Sequence, residues 1–335
     1  MSDIKLKKFM GYRGWKVWTS YDMHICLLAL FYVLIVDNLL RPLDSLFLIS
    51  SLGFYFMYGF LINDFCDISY DIAAGKKRII QGLPKVAFIG IILSVVLISA
   101  LHLLYLNNIL YTVIYIVSYL LATLYSALPI RFKARGFSGI IVNGLIEKGL
   151  PVLAIFSYFN HFKLDTLIFV QASFLIEVVE IITHQILDYE ADLNTGVRTY
   201  VVDVGREKAL KIYNNFICPI SGSIVVFMSL FISINIPYAV FFVAAGFIGY
   251  PVLTLLILKG KLKREKKIIP LYFSCMYFLI NNILPLFFAF ILSLKNSLNV
   301  VLLLVALVSQ YYILKYNLNS LKKKALIHFE LFTDT

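Results

Sequence analysis

The sequence predicts an all-α fold, a polytopic helical bundle that crosses a membrane, and three observations predict it. First, 61% of the 335 residues are hydrophobic and only 15% are charged, with a mean hydropathy of +0.86. That balance leaves too little polar surface for a water-soluble domain. Second, apolar runs of roughly 20 residues, the length a helix needs to cross the hydrocarbon core, recur along the whole chain. Third, most Lys and Arg residues sit in alternate loops between those runs.

In order, the runs lie near 23–40, 45–66, 86–106, 109–130 and 138–159, then near 164–187, 212–234, 237–258, 268–293 and 297–316. Residues 1–22 are basic and polar, and the run after them has no small-residue cleavage pattern, so it reads as a retained first span. With the N-terminus in the cytoplasm, 26 of the 30 Lys and Arg residues fall inside. Arg41, Lys163 and Lys295 fall outside, and Lys148 lies within a span. Cytoplasmic loops are the ones enriched in these residues, so both termini are expected in the cytoplasm, for a protein of the cell inner membrane. The formal charge of +11 is spread over short loops, which argues for orientation in a lipid bilayer and against a nucleic-acid partner. Cys26, Cys66, Cys218 and Cys275 show no metal-ligand spacing and read as free thiols.

Two acidic clusters end apolar runs on the cytoplasmic side of this arrangement. Asn63, Asp67 and Asp71 recur every four residues, which keeps them near one face of a helix. Asp188 and Asp192 repeat the spacing after the sixth run. Like charges at i, i+4 repel, and a shared cation removes that penalty. Magnesium suits such oxygen donors and bridges to phosphates. Lys76, Lys77, Arg78 and Arg198 in the adjoining loops would neutralise the remaining phosphate charge. The bland alternative is a pair of solvated helix ends. Glu177, Glu180 and His184 lie inside the sixth run, and a helical projection puts Glu177 on the side of Asp188. Glu177 is thus a candidate proton acceptor, or else one half of an interhelical pair with Lys148.

These residues carry a family resemblance. Asn63-Asp64-x-x-Asp67-x-x-x-Asp71 with Arg78 resembles the first signature of the UbiA superfamily of intramembrane prenyltransferases. Asp188-Tyr-Glu190-Ala-Asp192, followed by Gly196-Val-Arg198-Thr199 and Gly205-Arg206, resembles the second, and Leu124-Tyr125-Ser126-x-x-Pro129 with Lys133 resembles the pattern between them. Asn194 and Ala191 depart from the second signature. The resemblance implies nine core transmembrane helices over residues 23–295, with Asp-rich loops at 63–85 and 188–211; residues 296–335 then add a tenth span and a tail. It implies that Asn63, Asp67, Asp71, Asp188 and Asp192 hold two magnesium ions, with the four aspartates catalytic. It also implies that Asn63, Lys77, Arg78, Tyr125, Lys133 and Arg198 bind the substrate.

The expected reaction is magnesium-dependent transfer of a prenyl group from a prenyl diphosphate to an aromatic or other small hydrophobic acceptor, with release of pyrophosphate. A terpene cyclase of the same fold is the near alternative. A cation-coupled transporter is the remote one, disfavoured because the acids gather at one face rather than at the midplane.

Overall fold

In the computed structural model, described for residues 12–73, 75, 79–257, 282–311 and 314–315, the chain is helical and the described residues form no strand. Among the described residues, seven helical segments are long and apolar enough to cross a membrane. They begin with a 3₁₀ turn at Arg13–Thr19 leading into α1 (Tyr21–Val36), whose first turn is capped by the Ser20 hydroxyl accepting from the Met23 amide at 3.3 Å. Next come α2 (Pro42–Cys66), the short α3 (Ile68–Ala73), α4 (Lys85–Leu106) and α5 (Ile109–Ser126). Helix α6 (Phe137–Tyr158) contains a π turn at Leu145–Gly149. It is followed by α7 (Leu164–Leu187), α8 (Tyr189–Thr195), α9 (Tyr200–Val204) and α10 (Arg206–Asn235). The remaining apolar helices are α11 (Ala239–Ile257), α12 (Leu284–Lys295) and α13 (Ser297–Tyr311). They begin where the eighth and tenth runs were expected, and α12 covers the end of the ninth, whose residues 268–281 lie outside the described ones.

Burial separates the helices into inner and outer positions. The segment Arg13–Val36 is 76% buried and Lys85–Leu106 only 17%, which puts α1 at the centre and α4 on the rim. Helix α4 carries exposed Leu93, Leu97, Leu101 and Leu104, a surface stable against lipid tails and costly in water. Residues 13–19 are not a free tail. The Trp18 indole packs against Gly53 on α2, so close that a β-carbon there would come within 2.0 Å of its nitrogen.

Lipid gives no hydrophobic drive between helices, so close packing and interhelical hydrogen bonds must select the arrangement. Tyrosines supply many of these bonds. Tyr111 donates to Ser51 Oγ at 2.9 Å and Tyr115 to the Ser51 carbonyl at 2.7 Å, fixing α5 on α2. Tyr58 and Thr123 share a 2.6 Å bond along the same seam. The π turn in α6 disturbs its carbonyl ladder, and Tyr55 donates to the Ile146 carbonyl within it at 2.7 Å. At one end of the bundle His161 sits between Asp37 (2.6 Å) and Asp165 (3.0 Å), with Tyr32 also donating to Asp165 at 2.7 Å. The other end, where α2, α5 and α7 finish and α6 begins, holds the polar residues that follow.

Candidate functional site

Helix α2 ends at Cys66 with Asp67 as its C-cap, and α7 ends at Leu187 with Asp188 in the same position. A carboxylate is unfavourable there, because the C-terminal end of a helix is already the negative end of its dipole. Each therefore needs positive charge nearby.

Asp67 has it. The turn after α5 returns Arg131 and Lys133 to the α2 terminus, at 3.0 Å and 2.5 Å from the two Asp67 oxygens. Lys133 also donates to Asn63 Oδ1 at 2.9 Å, and Ser126 reaches the same oxygen at 3.2 Å. Asn63 and Asp67 thus share a face, as their spacing predicts, and the Asp71 amide bonds the Asp67 carbonyl at 2.8 Å, carrying the register onward. Asp71 is 9% exposed. Asp64, turned away from Lys133, pairs with Arg13 and accepts from Tyr12 at 3.0 Å.

Arg131 is one of three basic residues, with Lys133 and Arg135, in the turn after α5. It adopts the left-handed conformation at φ +46° and lays its guanidinium on the Tyr70 ring, 3.7 Å from the centroid. Non-glycine residues keep that conformation only where surroundings impose it; here the Asp67 pair and the Tyr70 stack do so. Two cations against one carboxylate leave a net positive centre. Burial pushes the Lys133 ammonium below the ordinary lysine range, against the opposing pull of Asp67.

The second acidic motif reaches this centre through backbone. Gly136 forms a parallel bridge with Thr199, its amide donating to the Arg198 carbonyl at 3.2 Å. Glycine is needed at 136, because φ is +53° with ψ −122° and a β-carbon would sit 2.6 Å from Asp203 Oδ2. The Arg198 guanidinium turns to Asp203 at 3.0 Å and is largely exposed. Asp188 is exposed, and Asp192, half-buried, lies one turn on with its amide on the Asp188 carbonyl at 2.9 Å. Lys77 and Arg78 lie outside the described residues.

Behind Asn63 a cavity of about 290 Å³ runs between α2, α5, α6 and α7. Its polar lining is Arg13, Asn63, Tyr125, Ser126, Glu147 and His184. Glu177 takes no part in that lining. It pairs with Lys148, as do Glu180 at 2.5 Å and Asp22 at 3.2 Å. The structure thus builds the interhelical pair that was the alternative reading of Glu177. Asp22, Glu177 and Glu180 are the one group of three acidic or histidine or cysteine side chains among the described residues whose ligand atoms come within 4.8 Å of one another. The Lys148 ammonium already stands among them. The motif aspartates are not gathered that closely.

Comparison with known proteins adds three findings. The sequence model of the UbiA prenyltransferase family matches residues 24–274. No curated protein sequence matches the chain. Among solved structures, a UbiA homologue from Archaeoglobus fulgidus bound to DMAPP and Mg2+ is 17% identical, with a TM-score of 0.54 over 84% of this chain and 96% of that one. The same homologue bound to GPP and Mg2+ gives 17% identity and a TM-score of 0.55 over 86% and 99%. The apo structure of a UbiA homologue from Aeropyrum pernix K1 gives 13% and 0.57 over 81% and 97%.

Proposed function

Because the chain belongs to the UbiA prenyltransferase family, we propose that it transfers a prenyl group from a prenyl diphosphate to a small aromatic or hydrophobic acceptor inside the membrane, releasing pyrophosphate. The observation that carries this reading is the placement of Arg131 and Lys133 on Asn63 and Asp67 at the end of a cavity enclosed by helices.

Magnesium, which accompanies DMAPP and GPP in the A. fulgidus homologue, is the cofactor of this proposal, one ion at each acidic motif. The residues suit it. Asn63 and Asp67 already hold one cation, the Lys133 ammonium, between their oxygens, and these are the hard donors that magnesium takes. Asn63, Asp67 and Asp71 would hold one ion, and Asp188 and Asp192 the other. When bound, the ions supply charge neutralisation for the departing pyrophosphate.

The protein's own groups do the rest. Arg131 and Lys133 hold diphosphate oxygens, Arg131 as a planar fork and Lys133 as a point charge. Lys77, Arg78 and Arg198 are proposed as further contacts from the loops. The Asp67 pairs and the Tyr70 stack hold Arg131 and Lys133 in place before substrate arrives, which is the condition for electrostatic stabilisation of developing charge. Tyr125, Tyr55, Phe56 and Phe60 line the cavity; such walls keep water from an allylic cation, and their ring faces stabilise it. The distribution of Lys and Arg supports placing this end of the bundle in the cytoplasm.

The test is product identification after incubating membranes that contain the protein with GPP, magnesium and candidate acceptors. Prenylated acceptor with stoichiometric pyrophosphate, abolished by a chelator, is the expected result. A cyclic hydrocarbon formed without any acceptor overturns the transferase reading in favour of a cyclase. Turnover that a chelator leaves intact overturns the cation site.

A further inference from the structure

We propose that Glu147 receives the acceptor's proton, and that the acceptor is a neutral, hydroxyl-bearing aromatic ring seated against it. This rests on the preceding reading that a prenyl cation forms beside Asn63. The observation is one of elimination among the carboxylates on the helices around one cavity. Asp67 is occupied by Arg131 and Lys133, Asp64 by Arg13, and Asp22, Glu177 and Glu180 by Lys148. Glu147 is the carboxylate that lines the cavity, and among the described residues it makes no hydrogen bond or ion pair.

The π turn accounts for its position. Glu147 and Lys148 are neighbours in Leu145–Gly149, yet Lys148 enters the acidic cluster and Glu147 the cavity. Turns of this kind insert a residue into a helix and occur often at functional sites. A carboxylate enclosed by membrane helices without a donor is costly, and a ligand hydroxyl is the partner that relieves the cost.

The chemistry of the wall narrows the acceptor. Arg13, the guanidinium in the same wall, is already paired with Asp64, so a carboxylate group placed against Glu147 would be repelled, and an ammonium has no electron pair to offer the cation. A phenolic ring meets both conditions. The allylic C–O bond breaks with its pair leaving on the diphosphate, and a ring carbon supplies a π pair for the new C–C bond. As that bond forms, the phenolic proton passes to Glu147. The neutral dienone then loses its ring proton to water and regains one on oxygen, and Glu147 returns its proton to water.

Two probes test this on the full-length protein in detergent or lipid nanodiscs, 1-naphthol and its methyl ether, which has the same ring and no O–H. We expect the wild type to bind 1-naphthol at least ten-fold more tightly than the ether, and Glu147→Gln to bring the two within two-fold. With GPP and magnesium, Glu147→Gln should go on releasing pyrophosphate, with geraniol as product, while prenylated naphthol falls at least 100-fold. Equal binding of the two probes by the wild type overturns the proposal and requires no variant to fold. Transfer by Glu147→Gln within three-fold of wild type also overturns it, as does transfer that survives in Glu147→Gln and is lost in His184→Gln. A wild type that releases no pyrophosphate from GPP defeats the proposed function instead, and the binding comparison still decides the role of Glu147.

Discussion

Lys148 is 1% exposed and is the cation that joins α1, α6 and α7 through Asp22, Glu177 and Glu180. Replacing it with Met keeps most of the stem and removes the charge, leaving three acids side by side with no cation between them. Removing one partner of a buried pair costs about 3–5 kcal/mol, and three orphaned acids place this variant at the upper end. The assay is thermal unfolding in detergent, followed by circular dichroism. A second substitution gives the sharper reading, because Lys148→Met with Glu177→Gln removes one of the uncompensated acids. Glu177→Gln alone loses its pair with Lys148 and should destabilise the wild type, yet the double variant should be more stable than Lys148→Met alone, an inversion of sign that independent sites cannot produce. A loss below about 1 kcal/mol for Lys148→Met, the level of an exposed pair, refutes the claim that the three acids depend on this lysine. So does a double variant less stable than the single one.

Three further outcomes follow from the candidate site. Asp67→Ala strands Arg131 and Lys133 and should lower turnover on the order of 10²–10³-fold, as should Asp188→Ala; both variants should still insert into membranes, since each residue lies at a helix end, and membrane fractionation checks this. The folded Lys133 gives up its proton below the ordinary lysine value, so its charge is complete at lower pH and is lost as pH rises through that depressed value. GPP affinity should therefore fall on the alkaline side earlier than an unperturbed lysine allows, and Lys133→Arg should hold it flat across the same window; coincident titrations of the two proteins would count against a phosphate contact by Lys133. Gly136→Ala forces a side chain onto φ +53°, which should cost about 1–2 kcal/mol and reduce turnover by loosening the bridge to Thr199; thermal unfolding and a GPP turnover assay read the two effects.

Much of the bundle could be read from the chain because lipid imposes one rule, long apolar helices with polar residues confined to ends and cavities. The pairing of Asn63 with Asp67 was equally legible, since a spacing of four has only one meaning on a helix. What escaped depended on departures from regular geometry. Arg131 owes its place to a left-handed residue after α5, which nothing in Pro129-Ile130-Arg131 announces. Glu147 and Lys148 are sorted into different compartments by a π turn, whereas projection at 100° per residue assumes an unbroken α-helix. Helical projection puts Glu177 on the side of Asp188, but a shared side does not say whether a side chain meets a cavity or a lysine. The partners of Tyr111 and Tyr115 were hidden for a simpler reason, that hydrogen bonds between helices leave no periodic trace in either one.

Ser51 gives these bonds a reach beyond stability. Its hydroxyl and carbonyl each hold a tyrosine of α5, so the two helices are pinned in rotation as well as in distance. Asn63 stands twelve residues further along α2, about 18 Å down the axis at the standard rise, and turns rigidly with the helix that Ser51 anchors. A twist of about 10° would carry a side-chain tip about 1 Å sideways at helical radii, a displacement able to cost on the order of 10²-fold in rate. Ser51 thus acts as a distant alignment pin, and variants there should distort the aim of the Asn63 and Asp67 oxygens toward Lys133 without touching any of the three.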